Sequence, residues 1–272
     1  MAQLGDFRTR VLTASIIGPA ALLCIWWGGY WWSGLILFCM AGLGWEWVRL
    51  CGGSSRRMPG LLVPGVALLA ATCAILGWPV LALVVLLAGA SAAWAVAPSG
   101  GLPPFWLGFG VMYIGLAGVA LLLLRHDPDA GRDNVVFLFL VIWASDISAY
   151  LAGRSIGGPK LAPRISPNKT WSGSVGGLLG AISVGVVAAI LIGSEVSAWQ
   201  VALVAALLGL ATQSGDMFES WIKRRFGVKD SSGLLPGHGG LLDRLDGVLA
   251  ASPVAALIAL IGGAGGHLWR WV

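Results

Sequence analysis

Several acidic residues of this chain sit where acids are costly. Of 272 residues, 57% are hydrophobic and only 12 are Asp or Glu. Asp146 lies near the middle of an apolar window, in Ser145-Asp146-Ile147-Ser148-Ala149-Tyr150. Asp216 and Glu219 lie near the end of another, after Gln213-Ser214-Gly215. An ionisable side chain at mid-membrane costs about 2.5–3.5 kcal/mol on insertion scales, so an acid kept there ordinarily serves a function. Helical spacing puts Asp146, Tyr150 and Arg154 on one face, and Asp216, Ser220 and Lys223 on another with Arg224 close by. Asp243 and Asp246, at i and i+3 where a further apolar window begins, place two carboxylates on one helical face. That pair suits a hard cation held by oxygens, and Mg²⁺ commonly takes one or two carboxylates together with substrate phosphates.

Two basic segments rich in Gly and Pro adjoin these acids. The first carries Arg154, Lys160, Arg164 and Lys169, with Ser166 and Asn168 among them. The second runs Lys223-Arg224-Arg225, then Lys229-Asp230, Pro236-Gly237-His238-Gly239-Gly240 and Asp243-Arg244-Leu245-Asp246. Glycines around His238 let backbone approach a ligand closely. Cations for phosphates and carboxylates for Mg²⁺ together point to phosphoryl or nucleotidyl transfer. Membrane anchoring explains some of the cations, but not the carboxylates interleaved with them. The four cysteines (Cys24, Cys39, Cys51, Cys73) lack CxxC or His-paired spacing and read as packing residues.

The elements that position these groups follow from composition. Charged residues are 11% of the chain, against about 25% in ordinary soluble domains, and mean hydropathy is +0.85. These values exclude a soluble enzyme and a disordered chain. The 41 glycines suit helices packed closely in lipid. We therefore expect an all-α polytopic integral membrane bundle of about nine transmembrane helices, at 12–27, 31–47, 61–77, 79–96, 105–124, 134–153, 174–193, 197–218 and 245–263. With the N-terminus cytoplasmic, fourteen of the 17 Lys and Arg residues fall on the inner side, leaving Arg125, Arg132 and Arg270 outside. The first window, after Arg8 and Arg10, reads as a retained helix because no small-residue cleavage site follows it. Tryptophans near window ends (Trp26, Trp27, Trp31, Trp32, Trp78, Trp199, Trp269, Trp271) read as an interfacial belt. The net charge of +5 has no hydrophilic domain to carry it, so anionic lipid or a phosphorylated substrate is the expected partner and nucleic acid is not. Residues 1–133 are expected to form about five scaffold, dimer or lipid-facing spans, and 134–272 a catalytic region of about four spans with the two basic loops.

At this point the residues carry a resemblance. Ser220-Trp221-Ile222-Lys223-Arg224, then Lys229-Asp230, then Pro236-Gly237-His238-Gly239-Gly240-Leu241-Leu242-Asp243-Arg244-Leu245-Asp246 is similar to the signature of phosphatidate cytidylyltransferases (CDP-diacylglycerol synthases), over 27 positions. Ser145-Asp146, Gly153-Arg154 and Ile165-Ser166-Pro167-Asn168-Lys169-Thr170-Trp171 also resemble that family, so the likeness runs over roughly 146–247. Ser172 departs from it, since many relatives carry Glu or Gln there. The resemblance implies the reaction CTP + phosphatidate → CDP-diacylglycerol + pyrophosphate at the cytoplasmic side of the inner membrane. It further implies Mg²⁺ dependence with a second cation completing a metal pair, and a homodimer among membrane lipids. Applied to this sequence, it makes Asp216, Asp243 and Asp246 metal ligands, with Asp146 a fourth acidic member or an outer partner. Lys223, Arg224 and Lys229 would neutralise the triphosphate and the leaving pyrophosphate, and His238 would donate to a phosphate oxygen, with Arg244 in the same catalytic set. Lys169 and Arg164, beside Ser166 and Asn168, would hold the lipid phosphate or the nucleotide, with Arg154 and Asp230 also binding substrate.

Two other activities share parts of this pattern. A CTP-dependent lipid-alcohol kinase of polyprenol type would leave CDP in place of pyrophosphate. A membrane transporter would need acids along a transmembrane path and two symmetric halves, whereas the acids here gather in the C-terminal half. The DG…AR…G…D…D pattern of CDP-alcohol phosphotransferases is missing.

Overall fold

The computed structural model describes residues 2–54, 58–192, 197–235, 239–262 and 267–269. Among them are nine α-helices: α1 (Ala2–Trp27), α2 (Gly29–Leu50), α3 (Leu62–Ile75), α4 (Pro79–Val96), α5 (Pro104–His126), α6 (Gly131–Ile156), α7 (Trp171–Ile192), α8 (Ala198–Arg225) and α9 (Leu242–Gly262). Each expected window overlaps one of them. A short antiparallel hairpin of β1 (Lys160–Ala162) and β2 (Ser166–Thr170) lies between α6 and α7, in the first of the Gly- and Pro-rich basic segments.

The chain is an all-α polytopic membrane protein. Helices α5 to α9, and α4 together with the 3-10 turn that follows it, are long and apolar enough to cross a bilayer. Helices α2 and α3 meet that standard less well. Helix α3 has 14 residues, about 21 Å at 1.5 Å per residue against a hydrocarbon core of about 30 Å. Helix α2 has the length, with 22 residues, but is rich in Trp and Gly and carries Glu46 and Arg49. Large apolar side chains stand exposed on many helices, as at Val80, Leu191 and Leu260, which is what a lipid-facing surface requires.

The chain divides into two compact units, residues 1–123 with 225–245, and residues 124–224 with 246–272. In the first, Trp47 is fully buried and donates its indole N–H to the Trp106 carbonyl at 2.8 Å. Trp32 is likewise in the core, donating to the Leu121 carbonyl at 3.1 Å. It therefore departs from the expected interfacial belt, because a buried carbonyl satisfies its N–H as well as the headgroup region would. Trp269 of the second unit departs too, packing on Phe137 with ring centroids 4.3 Å apart. Trp26, Trp27, Trp31, Trp78 and Trp199 are more than half exposed, as the belt requires, and Trp271 lies outside the described residues.

In the second unit α6 and α7 meet along small residues. A Cβ on Gly177 would lie 2.9 Å from both the Ser145 carbonyl oxygen and the Gln213 amide nitrogen. Close backbone approach of this kind is how helices associate in lipid, where apolar surface alone gives no driving force. Overpacking such a contact costs about 1–3 kcal/mol. Gly177→Val is therefore expected to lower the thermal midpoint of the detergent-solubilised protein. Gly65→Ala, at a helical position with nothing within 4 Å, should leave it unchanged or raise it.

Candidate active site

The polar residues of the second unit are brought together by one hairpin and three helices. The β1–β2 hairpin is set by register pairs Lys160↔Thr170 and Ala162↔Ser166, and its turn by the Ile165 N–H donating to the Ala162 carbonyl at 3.1 Å. Thr170, at its end, accepts the Gly173 N–H at 3.1 Å and so caps α7. Ser172 donates to the Gly157 carbonyl and lies 3.0 Å from the Thr170 hydroxyl. The residue that departs from the family pattern is thus a structural hydroxyl closing the base of the hairpin.

This local fold presents the Lys169 ammonium to the Asp216 carboxylate of α8 in a direct ion pair. Asp216, Glu219 and Asp246 form a group in which one carboxylate oxygen from each lies within 4.8 Å of the others. Their meeting depends on Gly215: a Cβ there would lie 2.5 Å from the Asp246 carbonyl oxygen and 2.7 Å from Ala250 Cβ. Without that side chain α8 and α9 touch, and the acids on both helices converge. Asp146 of α6 lies within electrostatic reach of Asp216 and Lys169, as does Asp246. Glu219 is nearly fully buried and pairs with Lys223, one turn on, at 2.6 Å. Gln213, one turn before Asp216, accepts from the Ser174 hydroxyl at 2.5 Å and donates to the Ser174 carbonyl at 3.0 Å, which fixes α8 against α7 beside the acids. Three carboxylate oxygens with adjacent ammonium groups can hold a metal ion or bring phosphate oxygens to a cation.

The sequence model of the cytidylyltransferase family matches residues 8–261. The chain belongs to that family. A phosphatidate cytidylyltransferase of Brucella abortus is 42% identical over 270 residues, covering 95% of this chain and 94% of the relative. The Brucella suis protein of the same name matches equally. A Staphylococcus saprophyticus phosphatidate cytidylyltransferase is 40% identical over 152 residues, 56% of this chain and 58% of its own.

In this cytidylyltransferase family member, the residues singled out by sequence fall into groups. Asp146, Asp216 and Asp246 gather with Lys169, and Lys223 joins through Glu219. Arg154 donates to the Tyr150 hydroxyl at 2.6 Å, on the helical face expected for them. Ser166 lies in β2, and Arg164, Asn168 and Arg224 are exposed. In the first unit, Asp243 accepts the Gly240 N–H at 2.9 Å and the Ser231 N–H at 3.2 Å, so its carboxylate fastens the loop before α9. Lys229, Asp230 and Arg244 are exposed on that loop and its flanks. His238 lies outside the described residues.

Two further acids, Glu219 and Glu46, are engaged in the structure though the sequence reading gives them no role. Glu219 stands at i+3 from Asp216, the same spacing that drew attention to Asp243 and Asp246. Glu46 is the lone acid of its apolar window and is fully buried, so its carboxylate needs donors from the protein.

A cation held by the three carboxylates would stabilise the folded protein by about 2.7 kcal/mol at a concentration a hundredfold above its Kd. We expect Mg²⁺ or Mn²⁺ to raise the thermal midpoint of the solubilised protein, and Asp216→Asn with Asp246→Asn to remove that rise. An unchanged rise in the double variant would place the cation elsewhere.

Proposed function

We propose that this protein transfers the cytidylyl group of CTP to phosphatidate, giving CDP-diacylglycerol, the activated precursor for phospholipid synthesis, and pyrophosphate. The observation that carries the reading is the meeting of three carboxylate oxygens and a lysine ammonium in a chain that matches relatives of that name along 95% of its length. The lipid phosphate is already ionised at neutral pH, so its oxygen needs no general base to attack. A new P–O bond forms between that oxygen and the α-phosphorus of CTP. The bond from the α-phosphorus to the bridging oxygen breaks, and its electron pair leaves with pyrophosphate. Catalysis then consists of alignment and charge neutralisation.

Asp216, Glu219 and Asp246 are the residues proposed to hold Mg²⁺, with Asp146 as an outer partner; hard oxygen donors at this spacing fit that ion. Bound there, Mg²⁺ would supply neutralisation of the phosphate oxygens. Asp243 stays in the proposed ligand set from its i, i+3 spacing to Asp246, and a second cation would need further acids of this kind. Lys169 and Arg164, with Ser166 and Asn168, would receive one phosphate-bearing substrate, and Arg154 and Asp230 would bind at its margins. Lys223, Arg224 and Lys229 would neutralise the triphosphate, aided by His238 and Arg244. Residues 134–272 would carry the chemistry and 1–133 the scaffold.

The reaction is proposed at the cytoplasmic face of the inner membrane, which the bias of fourteen among 17 cations to one side supports. A homodimer follows from the family resemblance, and light scattering of the solubilised protein tests it.

Incubation of the purified protein with CTP, phosphatidate and Mg²⁺ should yield CDP-diacylglycerol and pyrophosphate. Release of CDP in place of pyrophosphate would overturn the reading in favour of a kinase. Asp243→Asn and Asp246→Asn should each lower turnover on the order of a hundredfold or more, and normal turnover in both would remove the metal assignment.

A further inference from the structure

Helix α2 contributes one acid, Glu46, whose carboxylate reaches Ser231, Ser232, Leu241 and Leu242. Glu46 has no solvent exposure, within a helix whose neighbouring residues Leu43, Trp47 and Val48 are core. One of its carboxylate oxygens accepts the Leu241 N–H at 2.8 Å and the Ser232 hydroxyl. The other accepts the Leu242 N–H at 2.6 Å and the Ser231 hydroxyl at 3.4 Å. All four partners are donors, which is what a carboxylate can accept. Leu241 and Leu242 stand at the start of α9, where backbone N–H groups have no partner within the helix and the helix dipole is positive. Glu46 therefore caps α9 from a distant part of the chain, while its other two bonds hold the loop's beginning.

The surrounding residues are shaped to this clasp. A Cβ on Gly240 would overlap the Ser231 hydroxyl and come within 2.9 Å of the Glu46 carboxylate. Gly42, one turn before Glu46, leaves room for Leu241, whose methyl would lie 3.0 Å from a Cβ there. Asp243 closes the same loop from inside through the N–H groups of Ser231 and Gly240. The residues so held, Ser231 and Ser232 at one end and Gly240 to Leu242 at the other, adjoin Lys229-Asp230 and Asp243-Arg244 respectively. A buried charge is poor material for stability alone, since well-packed apolar residues commonly do as well or better. Its value here is that it fixes where Ser231, Ser232, Leu241 and Leu242 sit.

We propose that Glu46 is a positioning residue for the CTP triphosphate: by holding Ser231, Ser232, Leu241 and Leu242 it sets Lys229 and Arg244, which flank them, in the placement that binds it. The proposal rests on the reading of Lys229 and Arg244 given under the proposed function. The test is steady-state kinetics of the full-length solubilised protein, varying CTP and phosphatidate separately, on wild type and Glu46→Gln. The amide keeps the volume but loses the charge and turns a donor toward donors, so the KM for CTP is expected to rise about tenfold or more. The KM for phosphatidate should stay within about twofold, and trypsin should cut after Lys229 faster than in wild type. An unchanged KM for CTP, or a fall in kcat alone with both KM values kept, overturns the proposal. If Glu46→Gln does not give monodisperse protein, Ser231→Ala with Ser232→Ala removes two of the four donors and leaves the backbone bonds in place. A rise of about two- to fivefold in the KM for CTP in that variant then supports the proposal, and wild-type kinetics overturn it. Absence of turnover by the wild type fails the parent reading instead, and is separate from any result of the variants.

Discussion

A carboxylate placed inside an apolar bundle must find donors or cations within the protein, because lipid offers none. That constraint organises the parts of this molecule that bear on function. Asp216 is met by Lys169, Glu219 by Lys223, Asp243 by two backbone N–H groups and Glu46 by four donors. Each pairing ties one helix or loop to another, or stiffens one turn, so charge compensation and tertiary structure are specified together.

The partners are of two kinds, and the difference matters for chemistry. Glu46 and Asp243 are engaged by N–H and O–H groups of the chain itself, an arrangement that fixes a loop. Asp216, Glu219 and Asp246 lie close to one another, with Asp216 paired to Lys169 and Glu219 to Lys223. Mutual repulsion among three close carboxylates is relieved by any cation that enters. A site of this type is suited to anionic substrates whose charge must be neutralised during transfer, which is the need of a nucleotidyl transfer between two phosphates. Among the described residues it contains no paired nucleophile and base, and the proposed reaction needs none.

Glycine has a distinct part in this. At Gly215 it lets α8 and α9 touch so that acids from both helices share a site, and at Gly177 it brings α6 and α7 into backbone contact nearby. At these two places glycine serves the proposed site as well as packing in lipid, because an extra methyl group would press the helices apart.

Composition and periodicity alone determined the all-α membrane class and the location of all nine helices, and the 27 positions ending at Asp246 carried the family. These properties are local: hydropathy needs a window of about 20 residues, and a signature needs its own spacing. Sequence spacing also placed Tyr150 with Arg154 correctly, since one helical turn relates them. The tertiary structure decided what depends on contacts between helices. It brought Glu219 beside Asp216 and Asp246, paired Lys169 with Asp216, and gave Ser172 a structural bond to Gly157. It also buried Trp32 by offering its indole a carbonyl 89 residues away. Most remote of all is Glu46, which reaches partners up to 196 residues further along the chain. No local pattern distinguishes an acid that caps a distant helix from one that is merely tolerated, because the donors that justify its burial come from another part of the chain.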